Sequence, residues 1–477
     1  MSESKNDPLS SKESQAVFDA FDTPEDRKLV RKIDLRLLPV LTLLYLLSFL
    51  DRTNIGNAKI LGLTTDLHVA APNYNTALSI YFVAYVIFEV PANIILKRFT
   101  PQLWLPTLTL VWGIASLAQG LVKNQAGLFG IRFLLGATEA GLFPGVIFLF
   151  SVYYRRHERS YRVAIFFGGA ALAGAFGGIL AYAIGKMDGV GGRKGWEWIF
   201  ILEGALTVAV SLLAYLIVPT WSHEATFLTE RERTRLLERL NADSDAGRQE
   251  AFEWFFVRQA LTDHLVWAYA LLFHGFAFVL YSLSLFLPTI ISGLGFANWE
   301  AQLMTVPPNA LAALSIWCTV WLSSRYNYRA PFIIGAAFVA IIGYIILLTG
   351  PTIASQYVGV HFAAAGVYTG NALLLSWPGE NVSGQTKRAV SVAFQITLGD
   401  MGAIAGVLIY RPEFAAHLYR KGNIISIGYL LFAVVVTTYL WVWMAAENRR
   451  RDKIVAEDLE GDEYRLGDRS VRWRYVL

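Results

Sequence analysis

Apolar stretches of about twenty residues recur along the chain, and each is long enough to cross a bilayer as an α-helix. Twelve such segments can be marked in the sequence, separated by shorter polar turns. Their approximate bounds are 37–57, 74–96, 103–122, 127–152, 162–185, 198–218, 264–291, 300–322, 330–350, 354–376, 388–410 and 424–445. The pattern therefore predicts an all-α membrane protein with twelve transmembrane helices.

The segments fall into two groups of six, separated by a longer polar stretch. Halves of nearly equal length are typical of secondary transporters built from a duplicated six-helix unit. We expect five regions along the chain. They are an N-terminal tail over 1–34, an N-terminal six-helix half over 35–218, a central loop over 219–263, a C-terminal six-helix half over 264–445 and a C-terminal tail over 446–477.

Charged residues in the loops and tails predict the orientation, since Lys and Arg favour the cytoplasm. The short loops discriminate weakly, but both tails are basic near the bundle, so we expect both termini and the central loop in the cytoplasm. Within that loop, residues 223–252 suit either an amphipathic helix on the membrane surface or a solvated linker.

Composition supports a membrane location. The chain has 16% charged residues, whereas soluble domains have about 25%. The net charge of +4 is small and gives no reason to expect a nucleic-acid partner. The first residues lack the apolar core of a cleavable signal peptide, so we expect the first spanning helix to direct membrane insertion. The single cysteine, Cys318, excludes an intrachain disulfide, and we expect it to be a small buried residue.

The fourth segment carries two charges, Arg132 and Glu139, inside an apolar run. Seven residues separate them, which places both side chains on one helix face about 10 Å apart. Charges at membrane depth are costly and usually face a cavity or a partner. The pair predicts either a substrate-binding cation beside a proton-carrying acid or a structural ion pair within the bundle.

The first segment ends with Asp51, Arg52 and Asn54 in the run LSFLDRTNIGNAKI. A guanidinium pairs well with a carboxylate through two parallel hydrogen bonds. Arg52 is therefore a candidate ligand for a substrate carboxylate, with Asn54 beside it. The alternative is an Asp–Arg pair that fixes the helix end.

Two further acids lie within spanning segments. Glu89, near the end of the second segment, is interpreted as a gate or loop latch, and we assign Asp51 to gating as well. Asp400, between glycines on the eleventh segment, predicts either a second proton site or a helix-packing partner.

Polar side chains of the second half complete the candidate site. Asn371 and Trp377 on the tenth segment are expected to line a cavity. His274 is a candidate substrate ligand, although membrane histidines such as His361 more often serve in packing. No metal-binding spacing, nucleotide motif or nucleophile elbow stands out, so we expect no metal, no cofactor, no catalytic residue and no enzyme activity.

Four stretches, DRTNIGNA, WLPTLTLVWG, RFLLGATEAGLFPG and SWPGENVSGQTKRAVSVAFQITLGD, resemble major facilitator transporters of the anion:cation symporter group. The closest resemblance, over about 35–445, is to the fungal allantoate permease-like family. It implies substrate-binding roles for Arg52 and Arg132 and a proton-sensing role for Glu139. Asp400 departs from the resemblance, since relatives commonly have Asn there.

The resemblance and the residues together predict proton-coupled symport of a small organic anion by alternating access. The substrate would be a carboxylate, vitamin or ureide such as nicotinate, pantothenate or allantoate, and the expected partners are that anion, protons and the lipid bilayer. We expect a monomer in the plasma membrane. An exporter that works by proton antiport is the alternative, and a nutrient sensor that does not transport is a weaker one because the cytoplasmic segments are short.

Overall fold

The computed structural model describes residues 21–96, 98–242, 253–410, 419–454, 466–471 and 473–477. Within these ranges the chain forms twelve long helical segments, which we number α1 to α12. Those of the N-terminal half are α1 Pro24–Ile60, α2 Ala71–Leu96, α3 Pro101–Gln119, α4 Gln125–Tyr153, α5 Arg156–Gly185 and α6 Gly195–Ile217. Those of the C-terminal half are α7 His264–Gly293, α8 Val306–Tyr326, α9 Ala330–Thr349, α10 Ile353–Asn381, α11 Gln385–Ile409 and α12 Arg420–Asp452.

Shorter helices connect these segments. They are Leu63–Asp66, Glu230–Ala242, Trp254–Leu261 and Asn298–Leu303, together with 3-10 turns at Val190–Gly192, Ser222–Glu224 and Gly467–Arg469. The predicted all-α membrane fold is confirmed.

Eleven of the helices in the described ranges are long and apolar enough to cross a membrane. The twelfth segment, α3, is less apolar because its 19 residues include two prolines, two glutamines and two threonines. It nevertheless packs inside the bundle against α6, where a Cβ added at Gly204 would overlap the backbone of Leu117. Close backbone contact at small residues is how membrane helices associate.

Helix α1 begins well before the apolar run that predicted it. Thr23 and Asp26 form a reciprocal capping box, and Pro24 occupies the first turn, where its missing N–H costs nothing. The capped polar extension carries α1 beyond the apolar core of the bundle. At the other end of the chain, α12 continues in the same way to Asp452.

Glycines also join α9 to α10. A Cβ added at Gly343 would overlap the backbone N of Ala363, and one added at Gly366 would overlap the carbonyl of Ala336. We call this contact the α9–α10 glycine seam. The two backbones meet directly along it, with no side chain between them at these positions.

One side of the bundle carries the start of α1, the helix Glu230–Ala242 and residues 466–471 and 473–477. We call this side the tail face and the opposite side the far face. Arg235 on the connecting helix makes two 2.9 Å hydrogen bonds to the carboxylate of Asp26. Its neighbour Arg239 donates to Glu158 at 2.6 Å. The connecting helix is thus tied to the starts of α1 and α5.

Contacts between the two halves occur on both faces. On the far face, Asn75 of α2 donates to the carbonyls of Val407 and Tyr410, at 2.6 and 3.1 Å. On the tail face, Ser160 of α5 donates to Glu380 of α10. The halves are therefore held together above and below the middle of the bundle.

The expectation of a buried cysteine is wrong. Cys318 is exposed on α8, in the part of the bundle that faces lipid. Its helix turns an apolar outer side away from the bundle, and exposed Leu314, Trp317 and Trp321 lie on the same side. An apolar side chain is as well suited to lipid as to a protein core. The apolar run around Cys318 therefore does not show whether the residue faces lipid or the interior of the bundle.

Candidate functional site

A buried ion pair joins α1 to α4 in the middle of the N-terminal half. The Arg52 Nη2 atom lies 3.0 Å from Glu139 Oε2, and Arg52 Nε lies 3.3 Å from the same oxygen. Both side chains are almost fully buried, at 6% and 0% exposed. Removing one partner of such a pair is strongly destabilising to the protein, because the other charge is then buried without compensation.

Hydroxyl groups complete the environment of this pair. Ser48 and Tyr81 donate to Glu139 Oε2 at 3.0 and 2.6 Å. Glu139 Oε1 has no partner among the residues that the structure describes. On the other side, Arg52 Nη1 donates at 2.8 Å to the hydroxyl of Tyr281, which belongs to α7 in the opposite half. Arg52 thus contacts both halves of the protein.

The position of Glu139 depends on a break in α4. The first part of the segment ends at Glu139, and a second helix begins at Leu142. Pro144 has no backbone N–H for the carbonyl of Ala140, four residues earlier, and therefore interrupts the helix there. Glu139 consequently lies at the break between the two parts of α4.

Arg132 lies on the same face of α4 as Glu139 but does not pair with it in the described structure. It is 1% exposed, and its Nη1 makes a long 3.4 Å contact with the carbonyl of Arg52. Its Nε and Nη2 atoms have no hydrogen-bond partner among the described residues. Two guanidinium groups therefore lie close to one carboxylate, and the second has spare donors.

A cavity lies between the halves beside Arg52, and we call it the central cavity. It comprises about 370 Å³ of space that atoms do not fill, part of which is open to solvent. Its lining residues are Tyr45, Arg52, Tyr85, Phe143, Phe167, Phe273, Leu280, Tyr281, Leu375, Ile396 and Asp400. Arg52 and Asp400 are the charged groups in this lining, one from each half, and one oxygen of Asp400 has no partner within the described chain.

Aromatic rings surround the guanidinium of Arg52. Its central carbon lies 5.1 Å from the ring centre of Tyr81, 5.4 Å from that of Tyr85 and 5.6 Å from that of Tyr281. Ring faces attract a cation at these distances. The rings therefore stabilise the charge of Arg52 at the edge of the central cavity.

A second cavity, the far cavity, lies closer to the far face. It comprises about 330 Å³ of space that atoms do not fill, part of which is open to solvent. Its lining residues are Phe49, Thr53, Asn57, Gly174, Gly177, Ser284, Leu287, Pro288, Thr305, Asn309 and Tyr368. Phe49 lines this cavity and also lies 5.9 Å from Arg52. Its ring therefore stands between the two cavities.

Two predicted site residues of α1 point into the N-terminal half instead of toward the other half. Asp51 accepts hydrogen bonds from Ser116 at 2.7 Å and Thr207 at 2.9 Å. Asn54 donates to Glu203 at 2.5 Å. These contacts join α1 to α3 and α6 within the N-terminal half. A gating role for Asp51 stays a prediction.

The predicted residues of the C-terminal half also make internal contacts. Asn371 donates to the carbonyl of Val367 at 2.8 Å, and His274 contacts the carbonyl of Leu398 at 2.9 Å. Trp377 donates to the carbonyl of Val476 at 2.8 Å, beneath the C-terminal segment. Unlike Asp400, these three are absent from the described linings of both cavities.

Glu89 lies at the contact between the halves. It is fully buried and accepts a 3.4 Å hydrogen bond from Thr397 of α11, in the opposite half. A gating role for Glu89 stays a prediction.

Sequence reasoning missed Tyr81, Tyr281 and Glu203. The two tyrosines look like ordinary aromatic residues of apolar runs, and nothing in their local sequence marks a contact with Arg52 or Glu139. Glu203 did carry a signal, since an acid within an apolar helix is costly and usually has a partner.

Groups of His, Cys, Asp or Glu that could hold a metal ion do not occur among the described residues.

Comparison with known proteins agrees with this architecture. A sequence model described as Major Facilitator Superfamily matches residues 41–407. The chain belongs to this superfamily. Its relatives include the MFS transporter prlL of a fungal species, 36% identical over 89% of this chain and 88% of that protein. They also include the high-affinity nicotinic acid transporter of Saccharomyces cerevisiae, 33% identical over 95% of this chain and 85% of that protein.

Solved structures show the same fold. The proton:xylose symporter XylE, bound to 6-bromo-6-deoxy-D-glucose, superposes with a TM-score of 0.67 and covers 85% of this chain and 95% of its own. Its sequence is only 14% identical, so the likeness concerns the fold alone. The family match, the similar transporters and the apolar helices together make this chain a multi-pass membrane transporter of the superfamily.

Proposed function

We propose that this protein is a proton-coupled symporter of a small organic anion, with Arg52 as the carboxylate ligand and Glu139 as the proton carrier. The observation that carries the proposal is the buried Arg52–Glu139 ion pair at the wall of the central cavity. The named substrate of the yeast relative, nicotinic acid, is itself a carboxylic acid, which supports a carboxylate as the substrate class here.

The coupling follows from competition for one guanidinium. While Glu139 is ionised, it occupies Arg52 and neutralises its charge. A proton on Glu139 removes that negative charge and leaves the donors of Arg52 available to a substrate carboxylate, which can bind through the guanidinium fork. Proton and anion thus bind together, and their combined charge is zero for a monocarboxylate.

Arg132 adds to the attraction for an anion. Its unpaired donors and its burial raise the positive potential of the site, since the interaction between charges is stronger where water is excluded. Asp400 on the opposite wall acts against this attraction while it is ionised, and we retain it as a second candidate proton site.

The halves expose the site alternately by rearranging the contacts on the two faces. We assign the tail face to the cytoplasm because the basic residues of both tails lie there, and we propose that the transporter works as a monomer in the plasma membrane. Intact cells that express the protein distinguish uptake from export: an importer accumulates the labelled substrate inside the cell, and an exporter lowers its internal concentration.

Reconstitution tests the coupling role of Glu139. Proteoliposomes would receive labelled nicotinate, pantothenate or allantoate with an acid exterior. Glu139→Gln is expected to reduce accumulation to the level seen without a pH gradient, because the site can no longer take up or release a proton. Exchange of internal for external substrate should survive, since it needs no net proton movement.

Glu203→Gln is the matched control, because Glu203 is also a buried acid of the N-terminal half but contacts Asn54. It should retain gradient-driven accumulation. If Glu139→Gln accumulates substrate as the wild type does, the proposed coupling is wrong.

A further inference from the structure

The last described residues, 466–471 and 473–477, pack on the tail face, and we call them the C-terminal segment. Arg451 of α12 donates to the carbonyls of Asp468 and Trp473, both at 3.0 Å. Its side chain is almost fully buried, at 3% exposed. Hydrogen bonds from a charged donor are stronger than neutral ones, so Arg451 holds the main chain of the segment firmly.

A second residue of α12 holds the segment closer to its end. Asn448 donates to the carbonyl of Tyr475 and accepts from the backbone N–H of the same residue, both at 2.9 Å. The hydroxyl of Tyr475 donates to the carbonyl of Asp468 at 3.0 Å, which closes the segment on itself. Tyr475 is buried by these contacts.

The residue after Tyr475 contacts α10. Val476 exchanges two hydrogen bonds with the side-chain amide of Asn381, at 3.0 and 2.7 Å. Its carbonyl also accepts from the indole N–H of Trp377 at 2.8 Å. Trp377 and Asn381 lie three residues before and one residue after Glu380, so the segment binds α10 on both sides of that acid.

Glu380 is the acid that joins the two halves on the tail face. It accepts hydrogen bonds from Nε and Nη2 of Arg329, at 3.1 and 2.9 Å, and from Ser160 of α5 in the opposite half. The backbone N–H of Arg329 donates to the carbonyl of Leu477. Arg329 therefore holds Glu380 with its side chain and the C-terminal segment with its main chain.

Docking of the segment and closure of the tail face consequently support each other. The segment fixes the start of α9 and the end of α10, and helix ends are otherwise the parts that open most easily. The hydrogen bond from Ser160 needs Glu380 in its present position. Releasing the segment frees the end of α10 to move away from α5, which weakens this contact between the halves.

We propose that the C-terminal segment is a regulatory strap: while it is docked it holds the tail face closed, and its release allows that face to open. The inference rests on the alternating opening of the two faces in the proposed function, and it depends on neither the substrate nor the proton. Coupling of this kind is reciprocal, so opening of the tail face weakens docking of the strap by the same factor.

Thiol labelling measures the opening of the tail face. Cys318 is the single cysteine of the chain, so Leu280→Cys in a Cys318→Ser background places the only thiol in the wall of the central cavity. A membrane-impermeant thiol reagent is applied to vesicles that expose the tail face. Asn448→Ala removes both hydrogen bonds to Tyr475 and should raise the labelling rate several-fold, although its site on α12 is distinct from the contact between the halves.

Hydrogen exchange in the same samples reports whether the segment is released. Exchange of residues 473–477 should be faster in Asn448→Ala than in the wild type. Thr438→Ala is the matched control, since Thr438 also lies on α12 but donates to the carbonyl of Val434 within the helix. It should change neither the exchange nor the labelling.

A double variant tests the route of the effect. Ser160→Ala removes the contact between the halves directly and should also raise labelling. Ser160→Ala combined with Asn448→Ala should be labelled little faster than Ser160→Ala alone, because the strap acts through the contact that is already lost. Additive increases would refute the strap, since the release would then act elsewhere.

The outcomes separate the strap from the proposed function. If Ser160→Ala raises labelling but Asn448→Ala speeds only hydrogen exchange, the strap is refuted and the alternating opening stands. If labelling changes in neither variant, the strap and the assigned closure of the tail face are both refuted. Exchange that stays slow after Lys387→Met, which removes the 2.7 Å ion pair with Asp468, is added to Asn448→Ala also refutes the strap, because these contacts then do not hold the segment.

Discussion

At the scale of single residues, the central question is how much charge the site tolerates. Arg52, Arg132 and Glu139 lie within one half, and Asp400 faces Arg52 from the other. An anionic substrate that enters the central cavity is attracted by the two arginines and repelled by Asp400 when that residue is ionised.

Asp400→Asn should therefore strengthen substrate binding near neutral pH. Two charges about 10 Å apart interact by roughly 1.7 kcal/mol at an effective dielectric constant of about 20, so KM should fall by up to about twentyfold. The gain should shrink in acid, where the wild-type carboxyl is protonated as well. Measuring the KM for uptake across a range of pH would test this change in substrate binding. Asp400→Glu is the control, because it keeps the charge. An unchanged or higher KM in Asp400→Asn contradicts the prediction.

The residues themselves show how far sequence reasoning reaches at this scale. A charge in an apolar run is visible in sequence, and this is why Arg52, Arg132, Glu139 and Asp400 were all found. Which charges pair is not visible, because helix periodicity gives the face of a residue within its own helix and says nothing about which helix is adjacent. The spacing of seven residues allows Glu139 to pair with Arg132, yet the partner that reaches it is Arg52 of α1.

At the scale of elements, the C-terminal segment is held by contacts with the tail face. The ammonium of Lys387, at the start of α11, lies 2.7 Å from Asp263 and 2.7 Å from Asp468. Asn381 of α10 both donates to and accepts from the backbone of Val476, at 3.0 and 2.7 Å. The segment thus covers the tail-face ends of α10 and α11.

Lys387→Met should release this segment in a pH-dependent way. Burial raises the pKa of the Asp468 carboxyl, although Lys387 opposes the shift. A carboxyl whose pKa is higher in the docked state binds protons on docking, so docking weakens as pH rises. Without Lys387, two buried carboxylates remain uncompensated, and the loss for a broken buried pair is about 3–5 kcal/mol.

Tryptic cleavage after Arg469 would follow release of the segment. At neutral pH the Lys387→Met variant should be cleaved faster than the wild type. In acid, where Asp468 is protonated, cleavage of the same variant should be slower than at neutral pH. Adding Asp468→Asn to Lys387→Met should restore part of the resistance to cleavage. Asp452→Asn is the control, since the Arg474–Asp452 pair is exposed and contributes little. Equal cleavage of Lys387→Met and wild type would contradict the prediction.

The elements were predictable from sequence to different degrees. Apolar run lengths identified the spanning segments, but the ends of α1 and α12 lie beyond the runs because capping and polar contacts extend helices into water. The sequence marked GQTKRAVSVAFQ only by resemblance, and the docking role of Lys387 depends on Asp468, 81 residues away.

At the scale of the whole molecule, contacts on both faces hold the halves together, and alternating access requires each set to open in turn. Asn75 closes the far face through two hydrogen bonds to carbonyls of α11, and Ser160 closes the tail face through Glu380. A net contribution of about 1 kcal/mol per hydrogen bond makes each closure adjustable by a single substitution.

Asn75→Ala should favour the state open to the far face, and Ser160→Ala the state open to the tail face. A cysteine placed at Ser284, in the far cavity, would report the difference in a Cys318→Ser background. Labelling by a membrane-impermeant thiol reagent applied to the far face should rise several-fold in Asn75→Ala and fall in Ser160→Ala. Labelling that changes in the same direction in both variants would contradict opposed closures.

The α9–α10 glycine seam bears on how this transporter could be inhibited. Because the two backbones touch at Gly343 and Gly366 with no side chain to turn aside, the seam offers no crevice that a small molecule could widen from the lipid side. The central cavity is different, since aromatic rings that can rotate form much of its wall. A blocking compound should therefore be sought among molecules that enter between the halves and wedge them apart, and screening against the lipid-facing surface of the second half has little to recommend it.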